Sequence, residues 1–276
     1  MTVTAILGGA PDECPAQIQT AIAIAKKLGS PLQGMLAMPD PANSAVYFVA
    51  GEVVMSGPSS IAAIQEAQDE TKAAFQSEFA AETAKAGSWL QADFAFKTGF
   101  LNDVITTNCV LADATIFPKG AAQSGHALGP SFEHVLMDER MPVILASDDG
   151  SLHGPALIAW DGSARAMRAI RGHLPLLQSL EHAIIAVRTS SDDATANAET
   201  SPEALAEHLR DERIETKIET FDGKVSDGLM SLAQKHNAGL VIMGAYGHSR
   251  IGQMLFGGTS KAMFSAKDAP ALALAH

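Results

Sequence analysis

The chain repeats one order of strands and helices twice, and this repeat limits the folds open to it. Each half begins with a short apolar strand, Val3–Leu7 in the first and Ala156–Trp160 in the second. An amphipathic helix follows in both halves, with apolar residues three and four positions apart. Because strands that alternate with helices at this spacing form βαβ units, each half is predicted to be a parallel sheet with right-handed crossovers.

The remaining predicted strands match in order between the halves. They are Leu32–Met38, Ala92–Phe96, Ala114–Phe117 and Pro142–Ala146, and then Ala183–Val187, Thr216–Thr220, Leu240–Met243 and Pro270–Ala275. A long helix is predicted over 59–87, after a surface excursion over 40–58. The apolar segment Val46–Ala50 in this excursion is either a short strand or loop staple, or a segment that packs over a cleft or against a partner. In the second half, Met167, Ile170, Leu174 and Leu177 follow one helical face and predict one helix.

The fold class is therefore α/β, with two tandem five-stranded, Rossmann-like domains. We predict that they span residues 1–147 and 155–276, on either side of a polar linker, Asp148–Gly154. The length of 276 residues suits two domains of this size.

Charge and cysteine content narrow the classes of partner and the compartment. A net charge of −12 argues against binding nucleic acid or an anionic membrane through a global field. The sequence shows neither a signal peptide nor an apolar run of about 18 residues, so we expect a cytoplasmic protein. Cys109 is predicted to be a buried small hydrophobe, whereas Cys14 lies near a helix start, where a lowered thiol pKa is an alternative.

A glycine-spaced loop follows the fourth strand of the second half. Gly244 and Gly247 are two residues apart, and nine residues separate Gly247 from Gly257. So long a connection inside a compact domain is usually functional, and glycines let backbone N–H groups approach an anion closely. A helix beginning near Gly258 would add the N–H groups and the positive dipole end of its first turn. The pattern predicts a phosphate cradle at the carboxyl end of a parallel sheet.

This glycine spacing resembles that of the universal stress protein family, in its ATP-binding branch. A second segment, Leu157–Ser163, resembles the first strand of that family, which ends in an Asp-Gly-Ser turn. The two segments together imply a tandem member with adenine nucleotide alpha hydrolase-like domains. The resemblance also implies that the last strands pair within the chain as a pseudo-dimer, and it leaves further dimerisation open.

The resemblance assigns three residues to the base and ribose of an adenine nucleotide. Asp161, at the end of the first strand of the second half, would approach the adenine or the ribose. Val187, at the end of the next strand, would contact adenine through its backbone, and Met243 would flank the base.

The resemblance assigns the glycine loop to the phosphates of ATP, bound alone or with Mg²⁺. The residues with this role would be Gly244, Gly247 and Gly257. Arg250 lies inside the loop and either neutralises phosphate charge or is a solvated loop residue.

One departure from the family pattern lies at the start of the last helix. The ATP-binding pattern has Ser or Thr directly after the last glycine, whereas this chain has Gly258, followed by Thr259. Gly258 offers a phosphate its N–H group, and Thr259 is either a hydroxyl donor or an ordinary helix-start residue.

The first half keeps the predicted fold and lacks the residues of the site. Gly8-Gly9-Ala10 stands in place of the Asp-Gly-Ser turn, and Pro118 takes the place of the first loop glycine. Gly129 is followed by Pro130, which has no N–H group to donate. We therefore expect a structural or regulatory role for this half.

Two functions remain open from the sequence. The first is a non-catalytic universal stress protein that binds ATP in its second half and acts on an unknown protein partner. The alternative is a family member without nucleotide binding that works as a protein–protein interaction module. No carboxylate–histidine pair has a recognisable catalytic spacing, so we do not expect an enzyme, although slow ATP hydrolysis would be compatible with this view.

Overall fold

The computed structural model of the chain describes residues 2–41, 46–49, 52–55, 58–189, 200–245 and 258–276. Within these ranges ten strands form one sheet and two form a separate hairpin. The strands are β1 Val3–Leu7, β2 Leu32–Met38, β3 Val46–Val49, β4 Glu52–Met55, β5 Ala92–Thr98, β6 Ala114–Phe117, β7 Val143–Leu145, β8 Ala156–Trp160, β9 His182–Arg188, β10 Glu215–Phe221, β11 Leu240–Gly244 and β12 Ala271–Ala275. The α/β fold predicted from the repeat is therefore confirmed.

The two halves contribute equal and similar parts of the sheet. The strand order is β10-β9-β8-β11-β12-β7-β6-β1-β2-β5, and all neighbours within each half are parallel. The halves join where β12 pairs antiparallel with β7, with Ala273 opposite Ile144 and Leu272 opposite Leu145. The two five-stranded sets are thus continuous through their closing strands.

Helices cover both faces of this sheet. They are α1 Pro15–Leu28, α2 Pro58–Ala86, α3 Leu101–Cys109, α4 Gly129–Glu133, α5 Ala164–Gly172, α6 Leu174–Leu180, α7 Pro202–Asp211, α8 Val225–His236 and α9 Gly258–Ser265. Every residue of β1, β7 and β12 is buried. This burial explains why these strands are apolar along their length, apart from the buried Thr4 of β1, and do not alternate with polar residues.

The structure differs from the sequence prediction at the first helix of the second half. The single helix predicted through Met167 and Leu177 is two helices, α5 and α6, which meet at His173. Pro175 falls in the first turn of α6, where its missing N–H group is tolerated, but it could not continue α5. In the excursion after β2, the short strand that was one interpretation of the apolar segment from Val46 is confirmed, since β3 pairs with β4 in a hairpin.

Both cysteine thiols are buried in the core. Cys14 is 2% exposed, and burial raises its pKa to about 12, so the alternative of a lowered pKa was wrong. Cys109 is 1% exposed, with a pKa raised to about 11 by burial, as expected of a small hydrophobe. Neither thiol is activated as a nucleophile at neutral pH.

The segment between the halves packs against both of them. A Cβ atom on Gly150 would come 2.5 Å from the side chain of Gln19, and one on Gly154 would collide with the carbonyl oxygen of Asn237. The domain bounds of 1–147 and 155–276 stay a prediction. Among the helices in the described ranges, none is long and apolar enough to cross a membrane.

Candidate functional site

Three of the predicted site residues lie at one edge of the sheet. Trp160 of β8 is opposite Val187 of β9, and Ile158 is opposite Ile242 of β11. Gly244 ends β11 two residues after Ile242, so it lies at the same carboxyl end of the sheet as Trp160 and the following Asp161. Ligands of open α/β sheets bind outside the carboxyl ends of the strands, which is where these residues lie.

Asp161 forms a tight turn that starts helix α5. Its Oδ1 atom accepts a hydrogen bond from the backbone N–H of Ser163 at 2.9 Å, and Gly162 has φ of 72°. Ser163 is the N-cap residue, since its Oγ accepts from the N–H of Ala166 at 3.2 Å. The exposed Asp161 carboxylate is therefore fixed at the edge of the sheet, beside a helix N-terminus.

Gly244 ends β11 in direct contact with the first turn of α5. A Cβ atom there would lie 2.9 Å from the carbonyl carbon of Arg165 and 3.0 Å from the backbone nitrogen of Ala166. Real Cβ atoms do not approach backbone this closely, so strand and helix can meet this way only at a glycine. Gly244 thus has a packing role, whatever its predicted contact with phosphate.

Val187 and Met243 differ in what they present at this edge. Val187 is partly buried, and its backbone lies between those of Trp160 and Thr220. Met243 is 5% exposed, and its side chain belongs to a core cluster that also contains Leu157. Any contact between Met243 and a ligand would therefore come from its backbone.

The structure adds a contact that the sequence did not indicate. The indole Nε1 of Trp160 donates to the carbonyl oxygen of Thr200 at 3.1 Å. A Cβ atom on Gly162 would come 3.3 Å from Thr200 Oγ1, so Thr200 borders the turn at Asp161. The one sequence feature that could have indicated this contact is the position of Trp160, directly before Asp161 at the end of the strand.

The rest of the predicted site is only partly described. Gly247, Arg250 and Gly257 lie outside the described residues, so their roles stay predictions. Gly258 and Thr259 open helix α9, as the sequence predicted for a helix starting near Gly258.

At the corresponding edge of the first half, side chains fill the space next to the end of β1. A Cβ atom on Gly8 would come 2.8 Å from Leu128 Cγ, and one on Gly9 would come 2.7 Å from His126 Nε2. The Nδ1 atom of His126 accepts from the backbone N–H of Leu128 at 3.1 Å, which fixes the ring in this position. Leu128 and His126 thus occupy the space above β1.

These features define an α/β protein whose candidate site lies at the carboxyl ends of parallel strands in its second half. The sequence profile of the Universal stress protein family matches residues 154–273. The universal stress protein Slr1230 of Synechocystis sp. is 26% identical over 184 residues, which cover 64% of this chain and 62% of that relative's length. The second half of the chain, over residues 154–273, is therefore similar to the universal stress protein family.

Solved structures show the same fold along the whole chain. A universal stress protein from Archaeoglobus fulgidus is 17% identical, with a TM-score of 0.63, over 99% of this chain and 97% of its own. A functionally unknown protein, PA1789, from Pseudomonas aeruginosa is 15% identical, with a TM-score of 0.50, over 99% of this chain and 92% of its own. The fold of a universal stress protein therefore extends through both halves.

Proposed function

We propose that the chain is a non-catalytic regulatory protein that binds an adenine nucleotide, ATP or a close relative, in its second half. The observation that carries the proposal is the common position of Asp161, Val187 and Gly244 at one edge of the sheet. A carboxylate there suits the hydroxyl groups of a ribose or the exocyclic amino group of adenine. The N-terminus of α9 at Gly258 suits the phosphates.

The described residues fit such a nucleotide at both of its ends. Oδ1 of Asp161 holds the turn, and no residue that the structure describes bonds its Oδ2, which is offered to a ligand. Gly258 starts an eight-residue helix whose first N–H groups have no intrahelical partner. Mg²⁺, where present, would neutralise phosphate charge, and the chain itself would bind and orient the nucleotide.

The pairing of β7 with β12 joins the two halves and so bears on this regulatory role. We interpret it as an intrachain pseudo-dimer in which the first half supports the second. Nucleotide binding would stabilise the native state by mass action and change which surface is offered to a protein partner. A cytoplasmic location is part of the same proposal.

The alternative function is an interaction module that binds no nucleotide. Gly258 favours it, because the hydroxyl group of the family pattern is missing at that position. Exposed apolar side chains around α3 also favour it: Phe100 is 71% exposed, Val110 60% and Leu111 85%. Patches of this kind mark interaction surfaces when they are contiguous.

Calorimetric titration of the nucleotide-stripped chain with Mg-ATP tests the proposal. We expect saturable binding in the micromolar range, near one nucleotide per chain, and its loss in Gly247→Val, where the predicted cradle would gain a branched side chain. Gly129→Val is the control, because Gly129 lies in the first half, has no positive φ, and a Cβ atom there meets only ordinary contacts, the nearest at 3.5 Å. Absence of heat and of thermal stabilisation at millimolar ATP would leave the interaction module as the better account.

The fluorescence of Trp160 gives an independent measure of nucleotide binding. Trp160 is one of two tryptophans, and Trp89→Phe would leave it as the only one. Because Trp160 directly precedes Asp161 and bonds Thr200, nucleotide binding at this edge should change its fluorescence in step with the heat signal. A heat signal with no fluorescence change would place the nucleotide elsewhere.

A further inference from the structure

A second site is suggested by a cavity between the two halves. The cavity has a volume of about 820 Å³ and lies at the carboxyl ends of β6 and β7. Its walls are the start of α1, the turns after these two strands and, from the second half, residues 264–268. The volume is within the range of small-molecule sites, and none of the predicted nucleotide-binding residues that the structure describes lines it.

Gln17 supplies an unmet acceptor at the wall of this cavity. The side chain is 1% exposed, and its Nε2 donates to the carbonyl oxygens of Ile6 at 2.8 Å and Ile116 at 2.9 Å. These bonds fix the amide, and Oε1 is left buried without a hydrogen-bond partner among the described residues. A buried acceptor without a partner costs about 1–3 kcal/mol, so a donor delivered by a ligand would be favourable.

One of the two lysines at the cavity is already paired. The Lys119 ammonium group donates to Asp148 Oδ2 and to the carbonyl oxygen of Ala266, both at 2.5 Å. The Lys119 side chain is 13% exposed, so this contact ties the two halves together and leaves little positive charge for a ligand.

The remaining charged side chains give the cavity a net negative charge. Glu13 and Asp268 line it with no ion pair among the described residues, against the single ammonium group of Lys267. His126 adds no positive charge, because burial lowers its pKa and its Nδ1 already accepts a hydrogen bond. The electrostatic field of a chain with net charge −12 also attracts cations and repels anions.

We propose that this cavity binds a small amine-bearing cation. Glu13 and Asp268 receive the ammonium groups, and the Oε1 atom of Gln17 accepts from an N–H or O–H group of the ligand. The unpaired carboxylates repel phosphates, so the cavity discriminates against nucleotides. The site takes residues from both halves, and it stands whether or not the second half binds ATP.

Titration of the full chain with spermidine, at fixed ionic strength near 150 mM, tests the proposal. We expect one saturable site, weakened at least tenfold by Glu13→Gln. Glu203→Gln is the matched control, since Glu203 is an exposed carboxylate of α7 outside the cavity and its loss should leave affinity unchanged. Ser265→Trp, which places a large ring at the cavity wall, should abolish binding without lowering the melting temperature by more than a few degrees.

Three results would overturn this proposal. Absence of a saturable spermidine site is one. Equal weakening by Glu13→Gln and Glu203→Gln is another, because it would indicate general attraction to an acidic surface. The third is tighter binding of tripolyphosphate than of spermidine, lost in Lys267→Gln, since the cavity would then be an anion site. Each can occur with or without ATP binding at Asp161, so the two proposals fail separately.

Discussion

At the scale of single residues, the position of Gly244 decides how closely β11 and α5 approach. The contact leaves room for a hydrogen atom and none for a methyl group, since the nearest atoms are backbone and cannot rotate away. The same residue therefore sets the geometry of the sheet edge that carries Asp161.

Gly244→Ala is expected to lower stability by about 1–3 kcal/mol, the usual cost of overpacking a tight contact. Thermal unfolding followed by circular dichroism measures the change. Gly129→Ala is the control, because a Cβ atom there meets only ordinary contacts, the nearest at 3.5 Å. Equal melting temperatures for the two variants would show that the strand and helix can separate without cost.

The sequence could predict which site residues lie at strand ends, but it could not predict how they pack. Asp161, Val187 and Gly244 lie at strand ends, and the ends of neighbouring parallel strands share an edge, so sequence order sufficed. The packing of Gly244 on Arg165 and the bond from Trp160 to Thr200 depend on helix placement to within an ångström. Periodicity carries no information at that precision.

At the scale of elements, the junction of α5 and α6 contains a buried histidine. His173 is 4% exposed, and its Nε2 lies 3.2 Å from the carbonyl oxygen of Leu274 in β12. Because a carbonyl only accepts, this nitrogen carries the proton of the neutral ring. Burial lowers the pKa of His173 to about 4, so the folded chain holds the neutral form.

This shift makes stability depend on pH in a defined direction. The unfolded chain binds a proton at His173 near pH 6.5 and the folded chain near pH 4, so stability is lost as pH falls between these values. The loss between pH 7 and pH 5 is about 2 kcal/mol. Urea unfolding midpoints at the two pH values measure it.

His173→Gln should remove most of that pH dependence, since glutamine can donate to Leu274 without titrating. His153→Gln, at an exposed position in the linker, should leave the dependence as in the native chain. An unchanged difference between the midpoints of His173→Gln at pH 7 and pH 5 would assign the effect to other groups.

The elements themselves were largely predictable, for a physical reason. Buried parallel strands read as continuous apolar runs, and their bounds were found to within two residues. The break at His173 was missed because the apolar spacing from Met167 to Leu177 continues across it. Pro175 was compatible with a helix start as well as with a helix end.

At the scale of the whole molecule, the halves share one sheet and differ in their strand ends. The pairing of β7 with β12 and the Lys119 contact to Asp148 and Ala266 hold them together. The cavity between them could not be predicted, because no sequence pattern within one half reports how the other docks.

The difference between the halves predicts a stoichiometry. In the second half the turn at Asp161 leaves its carboxylate exposed, whereas Leu128 and His126 fill the corresponding space above Gly8 and Gly9. We therefore expect only the second half to bind a nucleotide.

Native mass spectrometry of the chain with excess Mg-ATP counts the nucleotides directly. We expect one nucleotide per chain, retained in Gly129→Val and lost in Gly247→Val. Two nucleotides per chain would mean that Leu128 and His126 give way to a ligand. A chain with no bound nucleotide would contradict nucleotide binding as the role of the second half.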